Sequence, residues 1–203
     1  MVDAAGGATA PGPTVRRARA TDLPLLYRVE LINIRKIEPE NLDAWIDTTD
    51  RTLERWITNL DRGFVAEING EAAGIALWAA AGAGGIAEEG ADEGTGLLPH
   101  AEIIAIHVVG EYRRRGVAHA LLEACVRDAG AGGFGTITVR VHRNNPARTI
   151  YERFGFSRPG TGLCAGAGAA GADHLCYRMP LVGEAPLAAD APPPTEPTTG
   201  TNG

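Results

Sequence analysis

The chain has 203 residues, 44% hydrophobic and 22% charged, enough to bury one full core and in keeping with a single domain that carries extensions. Its formal net charge of -6 argues against a general affinity for nucleic acid or an anionic membrane, although a local basic cluster can still hold a small anion, and a cationic partner suits the balance better. No apolar run approaches bilayer length, the start MVDAAGGATAPGPT lacks the basic and apolar regions of a signal peptide, and Cys125, Cys164 and Cys176 form no CxxC pair; a cytoplasmic protein with structural, reduced cysteines is expected.

Residues 1–13 and 183–203 are rich in Pro, Gly, Ala and Thr and hold almost no core-forming side chains, so both read as disordered tails around a domain at 14–182. TVRRARATD reads as a short strand followed by a helix cap, with Thr21 or Asp22 as N-cap, Pro24 in the first turn and the helix running to about Ile37. A second helix is expected from Leu42 to about Leu60 on the spacing of Trp45, Ile46, Leu53, Trp56, Ile57 and Leu60. Asn69-Gly70 joins two β-runs, a strong hairpin signal, so two antiparallel strands follow. Residues 81–99, mostly Gly, Ala and acidic, read as a flexible insertion.

HAEIIAIHVV then gives a very apolar strand. Val117, Leu121, Leu122, Cys125 and Ala129 put one apolar face on the next helix, which a Gly-rich turn ends. TITVRVH is a further strand, NPARTIYERFG a short helix stopped at Gly155, and HLCYRMPL a last strand, with a short extra strand expected at Phe156. The order β, α, α, β, β, β, α, β, α, β makes a mixed α/β domain without internal repeats. The abundance of Gly and Ala suggests a GC-rich bacterial genome.

At the junction of the apolar strand and its helix stand Arg113, Arg114, Arg115 and Gly116. First-turn N–H groups have no intrahelical acceptor and the helix dipole is positive there, so an anion is favoured. Arginines add charge-assisted donors and a glycine allows a bulky anion to approach the backbone, a combination that suits a pyrophosphate. A solvated charge run is the plainer alternative. Two literal GxGxxG stretches, starting at Gly130 and Gly166, lack the strand before and helix after that dinucleotide binding needs, and there is no Walker A lysine.

IHVVGEYRRRGVAHALL resembles the acetyl-CoA-binding motif of the GNAT-type N-acetyltransferases, matched by Arg113-x-x-Gly116-x-Ala118, and NNPARTIYERFGF resembles their second motif through Asn144, Ala147, Ile150, Tyr151, Arg153, Gly155 and Phe156. The resemblance spans about 14–182. It implies a mixed sheet whose fourth and fifth strands splay apart around the pantetheine arm of acetyl-CoA. By position it puts the pyrophosphate on Arg113 to Ala118, with Val117 between them, the pantetheine amides on the backbone of Ile106, His107 and Val108, and Asn144 and Tyr151 beside the cofactor. Gly110 and Ala118 depart from the proline and glycine common in the family.

Acetyl transfer to an amine needs a neutral amine, a stabilised oxyanion and a proton for the leaving thiolate. An alkyl amine, with a pKa of about 10.4, is mostly protonated at neutral pH. Glu102 matches the position of the general base in the histone-acetylating branch; strand alternation sets it on the side of Ile104, Ile106 and Val108, and partial burial would raise its pKa. The competing reading is a strand-end carboxylate in water. Tyr151 is the expected general acid, at the helix edge while Ile150 and Phe154 face the core; the competing reading is a packed structural tyrosine. The N–H of Val108 is the oxyanion candidate. Alternation points His107 away from Glu102, and no tight His/Cys set supports a metal.

The acceptor is expected to be a cationic amine, drawn by Glu38, Glu40, Asp43, Asp47, Asp50 and the acidic insertion, with solvated faces explaining these side chains equally well. A metabolite, an aminoglycoside-like or peptide-like amine, and a protein lysine or N-terminus all fit, as does either a monomer or a homodimer. The alternative from another class is a non-catalytic acyl-CoA-binding sensor or scaffold.

Overall fold

The structure, a computed structural model, describes residues 12–81, 99–158 and 173–181; nearly all of both tails and of the acidic insertion lies outside them. β1 (Thr14–Arg17), β2 (Gly63–Ile68), β3 (Glu71–Ala80), β4 (His100–Val108), β5 (Thr136–His142) and β6 (His174–Pro180) follow one another across a single sheet in sequence order. Among the described strands only β4 and β5 pair in parallel. Their connection must therefore cross over a face, and α4 (Val117–Ala131) makes that crossing. Asn69 and Gly70, at φ 55 and 80, close the β2–β3 hairpin as expected.

The remaining helices are α1 (Leu23–Ile37), α2 (Leu42–Asp47), α3 (Thr49–Thr58) and α5 (Arg148–Phe154). Two apolar cores lie on opposite faces of the sheet. The larger joins Val117, Leu121, Leu122, Cys125 and Ala129 of α4 and Tyr151 of α5 to β2–β6. The smaller joins Leu26 and Val29 of α1 and Trp56 of α3 to Val65, Ile75, Leu77 and Ala105. Burying each of the large α4 side chains stabilises by roughly 1.5–3 kcal/mol, far more than a surface ion pair, so apolar packing seats this helix. Gly74 allows the seat: a Cβ there would stand 2.7 Å from Val117 Cγ1 and 2.8 Å from the His107 carbonyl oxygen.

Four expectations are corrected. The helix expected over 42–60 is two helices, because the consecutive hydroxyls of Thr48 and Thr49 bond back to the Ala44 and Trp45 carbonyls at 2.9 and 3.0 Å and end α2. Asp22 occupies the N-cap position of α1 without capping it. Its carboxylate instead accepts the Arg19 N–H at 2.8 Å and both ends of the Arg16 guanidinium at 2.8 and 2.9 Å, tying β1 to α1. Cys125 is a buried free thiol, but Cys176 is disulfide-bonded, against the expectation of reduced cysteines. At Phe156 there is no strand, only an isolated bridge from Ser157 to Arg178.

The Arg16 bond, aided by the Arg19 N–H, holds the Asp22 carboxyl below its ordinary value despite burial. A depressed carboxyl contributes stability that is complete above the unfolded aspartate pKa of about 3.9 and is lost as the pH falls through the folded value. Asp22→Asn is therefore expected to lower unfolding free energy by about 1–3 kcal/mol at pH 7. Urea denaturation at pH 7 and pH 3 checks this: the difference between wild type and variant should shrink at the lower pH.

Candidate functional site

β4 and β5 are paired only from His100–Ile103 against Thr136–Val139. Beyond that β4 runs on to Val108 and β5 to His142 with no pairing between them, so the two strands part. At the same point β4 carries a bulge: Leu77 opposes Ala105 and Trp78 opposes Ile103, leaving Ile104 without an opposite residue. The Val109 N–H bonds the Ala73 carbonyl at 2.9 Å, which fixes the alternation of the ladder. Ala105 and His107 turn their peptide groups toward β3, while Ile106 and Val108 turn theirs toward the opening.

The turn that follows β4 gathers backbone and side-chain donors. Arg113 is extended, while Arg114 and Gly116 have left-handed φ of 61 and 79. The first bond of α4 runs from the Ala120 N–H to the Gly116 carbonyl at 3.0 Å, and no side chain caps the helix. The N–H groups of Val117, Ala118 and His119 are thus left without helical acceptors. Arg113 to Gly116 are exposed, and the three guanidiniums make no ion pair with a carboxylate among the described residues. Arg115 lies 5.5 Å over the ring of Tyr112, whose hydroxyl donates to Glu71 and is pushed up in pKa by that bond.

Tyr151 sits on the α4 face of the sheet. Here the sequence reading is corrected: Tyr151 is 6% exposed and Ile150 37% exposed, so the tyrosine and not the isoleucine turns inward. Packing by Phe156 and Tyr177, with ring centroids at 5.9 and 6.0 Å, sets that orientation. Its hydroxyl has no hydrogen-bond partner among the described residues, and burial pushes its pKa well above the ordinary tyrosine value. Asn144 is exposed at the end of β5, with its N–H 3.3 Å from His142 Nδ1, while the neighbouring Asn145 side chain accepts the Ala147 N–H at 2.9 Å and shapes the entry to α5.

The other face of the sheet differs from the expectation by one residue of register. The bulge reverses the alternation after Ile104. Glu102 and Ile104 face α1 and α3, Ile106 and Val108 face α4, and His107 returns to the side of Glu102. His107 Nε2 contacts the carboxylate of Glu30 on α1. Glu102 is held by two guanidiniums, Arg55 of α3 at 2.6 Å and Arg140 of β5 at 2.9 Å, and so is not a carboxylate in water. Glu30, Arg55 and Arg140 were missed in the sequence; the only trace of the bulge was the adjacent pair Ile103-Ile104 inside a strand. Asp43, Asp47 and Asp50 are exposed, whereas Glu38 and Glu40 reach His174 and His142 at 3.4 and 3.5 Å. No group of three or more possible metal ligands occurs among the described residues.

The family model described as "Acetyltransferase (GNAT) family" matches residues 29–156. No curated protein matches the sequence. Among solved structures, Ard1 from Thermoplasma volcanium is similar with a TM-score of 0.57 at 16% identity, over 85% of this chain and 99% of that one. An N-acetyltransferase from Staphylococcus aureus Mu50 gives 0.56 at 21% identity, over 85% and 100%. The PaiA N-acetyltransferase of Thermoplasma acidophilum, solved in complex with coenzyme A, gives 0.56 at 17% identity, over 84% and 99%. These likenesses show the fold.

Arg114 occupies a left-handed conformation that costs an L-residue roughly 1–2 kcal/mol. Arg114→Gly is expected to leave unfolding free energy unchanged or raise it by up to about 1 kcal/mol. Chemical denaturation should show that gain alongside weaker binding of coenzyme A by calorimetry, separating what this arginine does for a ligand from what it does for the fold.

Proposed function

The chain belongs to the GNAT family of acetyltransferases, and on that premise we propose that it moves an acetyl group from acetyl-CoA to a primary amine, of a small molecule or of a protein lysine or N-terminus. The observation that carries this reading is the coincidence, eight residues apart, of an open β4 edge at Val108 and an uncapped, arginine-flanked helix start at Gly116. GNAT acetyltransferases use acetyl-CoA, and the residues present fit it. A Cβ at Gly116 would meet nothing closer than Pro13 at 4.0 Å, so the space beside the backbone is open, and the flanking guanidiniums are free of carboxylates among the described residues.

When bound, acetyl-CoA supplies an activated acetyl thioester. Arg113, Arg114 and Arg115, with the N–H groups of Gly116, Val117 and Ala118, would hold its pyrophosphate. The outward peptide groups of Ile106 and Val108, flanking His107, would pair with the pantetheine amides, and Asn144 would contact the arm. The Val108 N–H would donate to the acetyl carbonyl oxygen and stabilise negative charge there. Tyr151 would donate a proton to the departing sulfur. Burial pushes the phenol up in pKa and so keeps it protonated, the form a proton donor needs.

Removal of the amine proton has two candidates on the face opposite α4. Glu102 is the one expected from sequence, but a base there must release a guanidinium. His107, backed by Glu30 and one residue from Val108, is favoured by proximity. Glu30, Glu38 and Glu40 on the α1 side support a cationic amine. The same reading puts the protein in the cytoplasm; no described helix is long and apolar enough to cross a membrane.

Calorimetry with coenzyme A is the first test, with Arg115→Ala/Gly116→Asp expected to abolish saturable binding. In thiol-release assays over an amine panel, Tyr151→Phe should lower kcat at least ~10-fold and leave coenzyme A affinity within about twofold. His107→Gln should cost ~100-fold in kcat if it is the base, with Glu102→Gln costing less. Coenzyme A binding without thiol release from any amine would favour the non-catalytic acyl-CoA sensor instead.

A further inference from the structure

Tyr112 closes the short turn Gly110–Tyr112 between β4 and the three arginines. It is 9% exposed and packs into the larger core. Two bonds hold it from either end. Its N–H donates to the Val109 carbonyl at 2.9 Å, which fixes it to the end of β4, and its hydroxyl donates to the carboxylate of Glu71, the first residue of β3. The ring is therefore held in place, and none of the chemistry assigned above uses it.

Arg115 places its guanidinium carbon 5.5 Å from the centre of that ring. Arg113 and Arg114, equally exposed, lie over no aromatic ring among the described residues. A cation over a ring face is attracted by the ring quadrupole, and a carboxylate bonded to the phenol hydroxyl polarises the ring in the favourable sense. Arg16, Arg17 and Arg55 are instead held by carboxylates. A carboxylate occupies N–H donors and offsets the charge. A ring does neither, so an arginine held this way keeps its fork of donors for an incoming phosphate.

We propose that Tyr112, anchored by Glu71, is a positioning residue: it holds the Arg115 guanidinium ready for the phosphates of coenzyme A without touching them. This rests on the coenzyme reading above. Arg115 immediately precedes Gly116, so its backbone stands at the free N–H groups that open α4. An exposed arginine gives up side-chain freedom when it binds an anion, and a ring that orders it beforehand removes part of that cost. Arg113 and Arg114 have no such platform, which makes the three arginines unequal.

Calorimetry with coenzyme A on the full chain tests this as a cycle of Tyr112→Leu, Arg115→Ala and the double variant. Tyr112→Leu should weaken binding ~2–5-fold and should cost nothing further once Arg115 is replaced. Tyr112→Phe, which keeps the ring, should bind within about twofold of wild type. The same loss with 3′-dephospho-coenzyme A would assign Arg115 to the pyrophosphate, and a loss confined to coenzyme A would assign it to the 3′-phosphate. Unchanged affinity in folded Tyr112→Leu, an equal loss in the Arg115→Ala background, or Tyr112→Phe as weak as Tyr112→Leu would overturn the inference. Because Tyr112→Leu removes a buried ring and can fail to fold, a second measurement uses the wild-type chain without ligand. The heteronuclear NOE of the Arg115 Nε–H should exceed those of Arg113 and Arg114, and equal values would overturn the inference as well. No binding of coenzyme A by the wild type would sink the acetyltransferase reading, and this inference with it.

Discussion

The structure depends on one break in regularity: at Ile103–Ile104 the β4 strand loses β5 as its neighbour and takes a bulge against β3 in the same two residues. Before this point the sheet is closed by ladder bonds. After it, the outward peptide groups of Ile106 and Val108 have no strand to meet, a condition that would be costly inside a protein unless water or a ligand satisfies them. The bulge also reverses which face each following side chain joins. A single inserted residue thereby sends Ile106 and Val108 to the α4 side and His107 to the α1 side.

Charges of opposite sign gather at two places around the parting. Positive charge gathers at the turn into α4, where Arg113 to Arg115 lack carboxylate partners among the described residues and the helix N-terminus adds to them. Negative charge gathers across the sheet, where Glu30, Glu38 and Glu40 meet His107, His174 and His142. The parted strands connect the two. On the proposed function, an anionic, bulky donor and a cationic acceptor would approach from different ends, and electrostatics would discourage either from taking the other's place. Gly74, which lets α4 lie against β3, fixes the positive end relative to the parting.

The order of elements, the hairpin at Asn69-Gly70, the buried stripe of α4 and the arginine turn were all legible in the sequence, because each is signalled by residues close together in the chain. What was not legible depends on partners far away. Glu102 read as a general base or else a strand-end carboxylate in water, since nothing local announces Arg55, 47 residues earlier, or Arg140, 38 later. Tyr151 read as an edge residue because a helix of seven residues is too short to declare its buried face, which Phe156 and Tyr177 decide. The bulge hid in an apolar run, where Ile103 and Ile104 suit either face. Simple alternation then assigned every later β4 side chain to the wrong side relative to Glu102.

Amide hydrogen exchange with and without desulfo-coenzyme A tests the central claim most directly, since it reads the peptide groups that the parting exposes. The account predicts fast exchange at Ile106 and Val108 in the free protein, slowed on binding together with Val117, Ala118 and His119, while Ala105 and His107, already bonded to β3, change little. Binding that protects none of these amides, or that protects Ala105 and His107 instead, would contradict it.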